Sequence, residues 1–171
     1  MTTGCTATQL QEFRDEALRH APPHPTHADL KTAPELRRVA MAGTDVGAVV
    51  RLALKKSPKT LTFFLNPVIA VELMVALNQA AMNFKWWEQP KRDDAMTLPE
   101  LTREDLDKAF QVISITTASE PNGLLVCFAG GEAFTFYIPR KFAADVVTWL
   151  HYIGDTAKWW DENYVLLPKP N

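Results

Sequence analysis

The sequence predicts an α+β fold built from internally duplicated strand-strand-helix units, with an antiparallel sheet packed against two long helices in pseudo-twofold symmetry. Three observations carry that expectation. The tetrapeptide K-W-W-E at Lys85 to Glu88 returns as K-W-W-D at Lys158 to Asp161, so four of the five tryptophans sit in two copies of one cluster. A shift of 73 residues aligns Leu61 to Glu88 with Phe134 to Asp161 without a gap, and seven of the 28 positions are identical. These are Thr62, Phe63, Ala70, Leu77, Lys85, Trp86 and Trp87 against their later partners. In both copies an alternating apolar pattern gives way to a stripe that recurs every three or four residues, which is a strand feeding a helix.

In chain order, Leu10, Phe13, Ala17 and Leu18 predict an amphipathic helix from about Thr8 to His20, stopped by Pro22 and Pro23. A loop-like Pro/His-rich arm follows. Thr32 with Glu35, and Thr102 with Asp105, resemble capping boxes for short helices, and relate the two copies at a shift of 70 residues. Asp45 to Leu54 alternates as a strand with one buried face, K-K-S-P-K turns the chain, and Leu61, Phe63 and Leu65 mark the next strand. In the second copy Gln111 to Thr117 is a strand, S-E-P-N-G a turn, and Leu124 to Ala129 pairs through Gly130-Gly131 with Phe134 to Ile138.

Each copy then enters a long helix at a proline, Pro67 or Pro139, where a missing N–H is tolerated. The expected helices are residues 67 to about 86 and 140 to about 160. Continuing their apolar stripes places Trp87 and Trp160 in the core, with Trp86 and Trp159 about 100° away around the helix. Trp86 and Trp159 then need a second surface, the other copy or a partner. Lys85 and Lys158 accompany them as cations at the helix C-termini. The domain reading is an arm at 1–31, repeat 1 at 32–89, a linker at 90–101, repeat 2 at 102–162 and a tail at 163–171, the two repeats forming one compact domain. The tail segment Y-V-L-L suits an edge strand or a docking groove.

Composition bounds the partners. With 47% hydrophobic and 22% charged residues the chain is an ordinary folded protein, and 171 residues suffice for a real core. The net charge of -2 gives no global attraction to nucleic acid or anionic membrane. The longest apolar run, Val68 to Leu77, is about half of what a membrane span needs and carries Glu72. No secretory signal is visible, and Cys5 and Cys127 suggest neither a disulfide framework nor a metal knuckle, so a cytoplasmic protein is expected.

Candidate chemistry is sparse. His24, His27 and Asp29, with His20 nearby, are metal-ligand types, but Pro22, Pro23 and Pro25 break the register that zinc ligands use, so no metal or cofactor is expected. There is no nucleophile elbow, H-E-x-x-H or phosphate loop. His151 has no identifiable catalytic partner, and the equivalent acids Glu72 and Asp145 read as a solvated face. For single-stranded nucleic acid, Lys55, Lys56 and Lys59 form a basic hairpin, and Phe64 and Tyr137 point off the opposite sheet face from Phe63 and Phe136. The duplicated strand-strand-helix layout resembles, in topology, the whirly and PUR-type single-strand binders, which implies nucleic-acid binding on the sheet as an alternative function. The leading expectation is a non-catalytic binding or assembly module acting through protein-protein contacts, a monomer or homodimer, with Trp86, Trp159, Lys85 and Lys158 at the inter-repeat or partner contact. A small enzyme is a further alternative.

Overall fold

The computed structural model describes residues 4–88 and 107–169. The chain runs α1 (Ala7–Arg19), a 3₁₀ turn (His27–Lys31), β1 (Leu36–Thr44), β2 (Gly47–Leu54), β3 (Thr60–Leu65), α2 (Pro67–Asn83) and a second 3₁₀ turn (Trp86–Glu88). It continues through β4 (Phe110–Val112), β5 (Ser114–Glu120), β6 (Gly123–Ala129), β7 (Ala133–Pro139) and α3 (Arg140–Thr156). The described residues thus mix three α-helices with a four-stranded sheet, ordered β1-β2-β3-β4, and a three-stranded sheet, ordered β5-β6-β7.

Both sheets are antiparallel except where β3 meets β4 in parallel, pairing Phe64 with Gln111. From β4 the chain passes directly into the other sheet, Ile113 N donating to Ala129 O at 2.7 Å. At the far edge Tyr137 of β7 bridges Glu35 in parallel, with Tyr137 N donating to Pro34 O at 2.9 Å. The two sheets are therefore joined by the chain that runs from β4 into β5 and by the bridge between Tyr137 and Glu35. Between them and the helices lies one continuous core, in which Phe63 and Phe136 meet Phe128 edge to face, Phe63 tilts against Phe134, and Phe134 stacks on Phe136. Helix α2 packs on α3, on β5 and β6 and on β2 and β3, and α3 packs on β1, β6 and β7, so both long helices touch both sheets.

Three sequence expectations need correction. Thr32 and Glu35 start no helix. Thr26 and Asp29 form the capping box instead, Asp29 Oδ2 accepting from Thr26 N at 2.7 Å, and Thr32 closes that 3₁₀ turn. Pro34 then favours extended chain and the residues become β1, a third strand before α2. A register shift between Leu36 and Arg38 breaks its alternation, which hides it from a period-two reading. The strand expected from Asp45 with one buried face begins at Gly47, and as an inner strand between β1 and β3 it is buried on both faces, with only Arg51 half-buried. Thr102, Asp105 and the 90–101 linker lie outside the described residues.

The helices also stop early, at Asn83 and Thr156. Lys85 and Lys158 adopt left-handed φ of 56° and 57° and end them. After α3 the Schellman pattern is complete, with Lys158 N donating to Asp155 O at 3.2 Å and Trp159 N to Gly154 O at 2.9 Å. The tryptophans thus leave a left-handed residue rather than a helix, and helical phase does not govern them. Trp87 is 44% exposed instead of core, and Trp86 is 4% exposed.

The N-terminal arm covers the edge of β5. Ser114 Oγ donates to Ala17 O at 2.9 Å, Thr116 Oγ1 donates to Pro23 O at 3.1 Å, and His27 Nδ1 lies 3.2 Å from Glu120 Oε1. Covering an edge strand in this way removes a template for stray pairing. The tail returns to the arm, Lys169 N donating to Cys5 O at 2.8 Å, and Leu166 joins Cys5, Leu10 and Phe13 on Val68 at the start of α2.

Candidate functional site

The repeated K-W-W clusters sit at the ends of α2 and α3, and their first indoles behave alike. Trp86 Nε1 donates to Pro121 O in the β5–β6 turn at 2.8 Å, and Trp159 Nε1 donates to Asp45 O in the β1–β2 turn at 3.2 Å. Each helix end is thereby fastened to a hairpin of the opposite sheet. Lys85 and Lys158 are exposed beside them.

The second indoles part company. Trp160 is buried over Gly154, where an added Cβ would collide with its ring, and its Nε1 donates to Asp155 Oδ1 at 2.8 Å. Tyr164 and His151 flank the same ring. At the aligned positions the first segment has Ala81 and Met82, a methyl where the ring needs room and a thioether where the N–H needs an acceptor. Trp87 accordingly faces outward. The sequence carried that signal in the substitution of Ala-Met for Gly-Asp.

Trp87 opens into a groove of about 960 Å³ at the start of α3, walled by Trp86, Tyr137, Pro139, Arg140 and Lys141. Glu35, Asn78 and Asn122 contribute polar groups from three other segments, and Asp145 and Val147 line it farther along α3. The entrance to α3 is cationic because Pro139, as N-cap, has no side-chain acceptor, while Arg140 and Lys141 occupy its first turn. Helix α2 is capped instead by Asn66 Oδ1, which accepts from Ile69 N at 3.1 Å. Glu35 is held by Lys55 Nζ at 2.9 Å. Burial pushes the Tyr137 phenol above its usual range, the nearby Glu35 and Glu120 carboxylates add to the rise, and Arg140 opposes it. This is a polar and aromatic groove whose lining sets Arg140 and Lys141 at the α3 entrance against Glu35 and Asp145.

The groove unites Trp86, Tyr137 and Asp145, with Lys55 behind Glu35, out of the residues weighed from sequence. Trp87, Arg140, Lys141, Asn78 and Asn122 are its additions. Phe64 and Tyr137 do not stand free as platforms. Their half-buried rings cover Gly47 and Gly123, where a Cβ would strike ring and strand carbonyl alike. Lys56 and Lys59 are exposed in the β2–β3 turn, away from the groove lining. The metal candidates are separated in use: His24 contacts Thr117 O at 3.4 Å, His27 contacts Glu120, and Asp29 caps its turn. Among the described residues no three His, Cys, Asp or Glu side chains converge as a metal site. None of their helices is long and apolar enough to cross a membrane.

Comparison with protein-family models, with curated proteins and with solved structures found no match.

Proposed function

We propose that this protein is a non-catalytic binding or assembly module that engages another protein through the groove at the α3 entrance. The observation that carries the reading is Trp87, an indole 44% exposed at the rim of a groove that also offers Tyr137 and Arg140. Tryptophan, tyrosine and arginine are the side chains that dominate protein-protein contacts, because they combine large buried area with directional polar groups.

The scaffold is read as an internal duplication with pseudo-twofold symmetry, now three strands and a helix per copy. Its support is reciprocity. Gln111 pairs with Phe64 as Glu35 pairs with Tyr137, and Trp86 reaches Pro121 as Trp159 reaches Asp45. Phe64 and Tyr137, like Trp86 and Trp159, are 73 apart, whereas Glu35 and Gln111, like Asp45 and Pro121, are 76 apart, which replaces the 70-residue relation drawn from Thr32 and Thr102. The buried, unpaired Cys5 and Cys127 fit a reducing compartment, so the cytoplasm is the proposed location.

Photo-crosslinking tests the proposal. A benzoylphenylalanine at position 87 should give protein adducts in cells, and one at exposed Val75 on α2 should not. Single-stranded nucleic acid is the second reading, favoured by Tyr137, Arg140 and Lys141 sharing one surface. Tight, salt-dependent binding of a single-stranded oligonucleotide, with no protein adduct at 87, would put it first.

A further inference from the structure

We infer that a basic edge of the four-stranded sheet, formed by Arg37, Arg38, Lys56 and Lys59, binds the phosphate backbone of a nucleic acid without regard to sequence. This surface is separate from the groove, and the inference does not rest on the protein-binding reading above. Residues 36–71 carry six cations, Arg37, Arg38, Arg51, Lys55, Lys56 and Lys59, against one carboxylate, Asp45. Asp45 sits in the β1–β2 turn, at the other end of those strands. Lys55 is held by Glu35 at 2.9 Å and Arg51 is half-buried, which leaves Arg37, Arg38, Lys56 and Lys59 as the exposed cations of this edge.

Two local devices bring them to the surface. Leu36 pairs with Leu54 and Arg38 with Ala53, so Arg37 is the extra residue of a bulge, and two consecutive arginines are exposed where a regular strand would bury one. In the β2–β3 turn Lys56 holds a left-handed φ of 64°, a backbone that favours glycine, and still presents a cation. Arg38, Ala53 and Thr60 lie in register across β1, β2 and β3, so about 10 Å, two strand spacings, separates Arg38 from the strand that Lys59 leads into. That is a span of about three phosphates along one strand of a duplex.

The second copy shows that the fold does not ask for this charge. At a shift of 76 residues Arg37, Arg38 and Lys56 correspond to Ile113, Ser114 and Glu132. Ser57, Pro58 and Lys59 have no counterpart, because Thr60 corresponds to Ala133, and residues 112–133 contain no lysine or arginine. The chemistry of the edge names the occupant. Ser57 and Thr60 add hydroxyls to the lysines, the donor set that phosphate oxygens take. Residues 55–60 include no aromatic anchor for a protein partner and no large apolar side chain for a bilayer. They also lack a ring on which bases would stack, so single strands and duplexes should be held alike.

Fluorescence anisotropy of the full chain with labelled oligothymidylate and with a labelled duplex tests this. Both should bind at low salt with affinities within about threefold, and both should weaken about 50- to 150-fold from about 50 to about 200 mM salt, as four phosphate contacts require. Lys56→Gly with Lys59→Gln should lower the slope of log K against log salt by about 1.4 to 1.8. Glycine suits the left-handed backbone at position 56, so the variant keeps the fold, and an unchanged or raised urea midpoint verifies it. Arg140→Gln with Lys141→Gln in the groove should alter the affinity by less than about twofold. Absence of binding at about 50 mM salt, a slope that the lysine variant leaves unchanged, or tighter binding to polyglutamate or phosphatidylserine vesicles would each overturn the inference. Loss of oligothymidylate binding through the groove variant alone would overturn it too, in favour of the groove as the single-strand site. None of these outcomes decides whether position 87 gives protein adducts, so the two readings fail separately.

Discussion

Trp86 and Pro121 are joined by an indole N–H to carbonyl hydrogen bond of 2.8 Å, although one ends α2 and the other turns the β5–β6 hairpin. Trp86 is buried and Pro121 exposed, so the indole drives its ring into the core and reaches with its nitrogen to the base of the turn. Trp159 makes the same contact with Asp45 at 3.2 Å. A left-handed lysine before each indole supplies the change of direction, which a continuing helix would not allow. The tetrapeptide is repeated because each helix end must be tied to the opposite sheet.

Removing these ties should cost stability, and removing Trp87 should not. Trp86→Ala and Trp159→Ala are expected to lose about 3 to 5 kcal/mol, and the phenylalanine variants about 1 to 2 kcal/mol through the unpaired carbonyl and lost area. Trp87→Ala should stay within about 0.5 kcal/mol as a surface change. Urea unfolding midpoints of the five variants check this, and an equal loss for Trp87→Ala would contradict the outward placement of that ring.

Gly154 admits the Trp160 ring against the helix backbone. Gly154→Ala puts a methyl into that contact and should destabilise by about 1 to 3 kcal/mol, against the small gain that alanine usually brings to a helix. A red-shifted tryptophan emission would show the ring displaced. Unchanged emission with a raised melting temperature would mean that the helix and ring do not touch.

Lys85 and Lys158 hold left-handed backbone at φ of 56° and 57°, a conformation that costs a side-chain-bearing residue energy. Lys85→Gly and Lys158→Gly should each stabilise by about 0.5 to 1 kcal/mol, or roughly 1 to 4 °C for a chain this long. The cation's interaction with the helix dipole, about 0.3 to 1 kcal/mol, is lost in part and keeps the gain small. Thermal melts decide the sign, and a loss of several degrees would show that the lysine ammonium matters more than its backbone.

Where local pattern decides structure, the sequence was readable. The stripe from Ile69 to Ala80, the alternation of Val50, Leu52 and Leu54, and the Gly130 turn each determine an element by their own spacing. What escaped depends on geometry outside the window. Strand β1 carries an irregular register, so Leu36, Val39, Ala40 and Met41 are buried without alternating. The tryptophans turn on one dihedral at Lys85 and Lys158. The groove draws on Glu35, Asn78, Trp87, Asn122 and Arg140, which no linear pattern links. Only its two cations at the α3 entrance had a local trace, the change from Asn-Pro-Val at the α2 entrance to Pro-Arg-Lys.

Alkaline pH should weaken the protein through Cys5. Its thiol is buried against the carbonyl of Val46, and burial raises its pKa because the thiolate would be stripped of water. In the unfolded chain the same thiol ionises near its ordinary value of about 8.5. The folded state therefore holds the proton longer, and the associated stability is complete below the unfolded value and is lost as pH rises through the folded one. Tyr137, also raised, adds a second decline above its ordinary value of about 10. Urea midpoints between pH 7 and pH 11 should fall for the natural chain. Cys5→Ala should begin lower at pH 7 from lost packing and run flatter up to about pH 10, and a further Tyr137→Phe change should flatten the remainder. If Cys5→Ala falls as steeply as the natural chain between pH 8 and pH 10, the thiol is not what the arm and tail enclose.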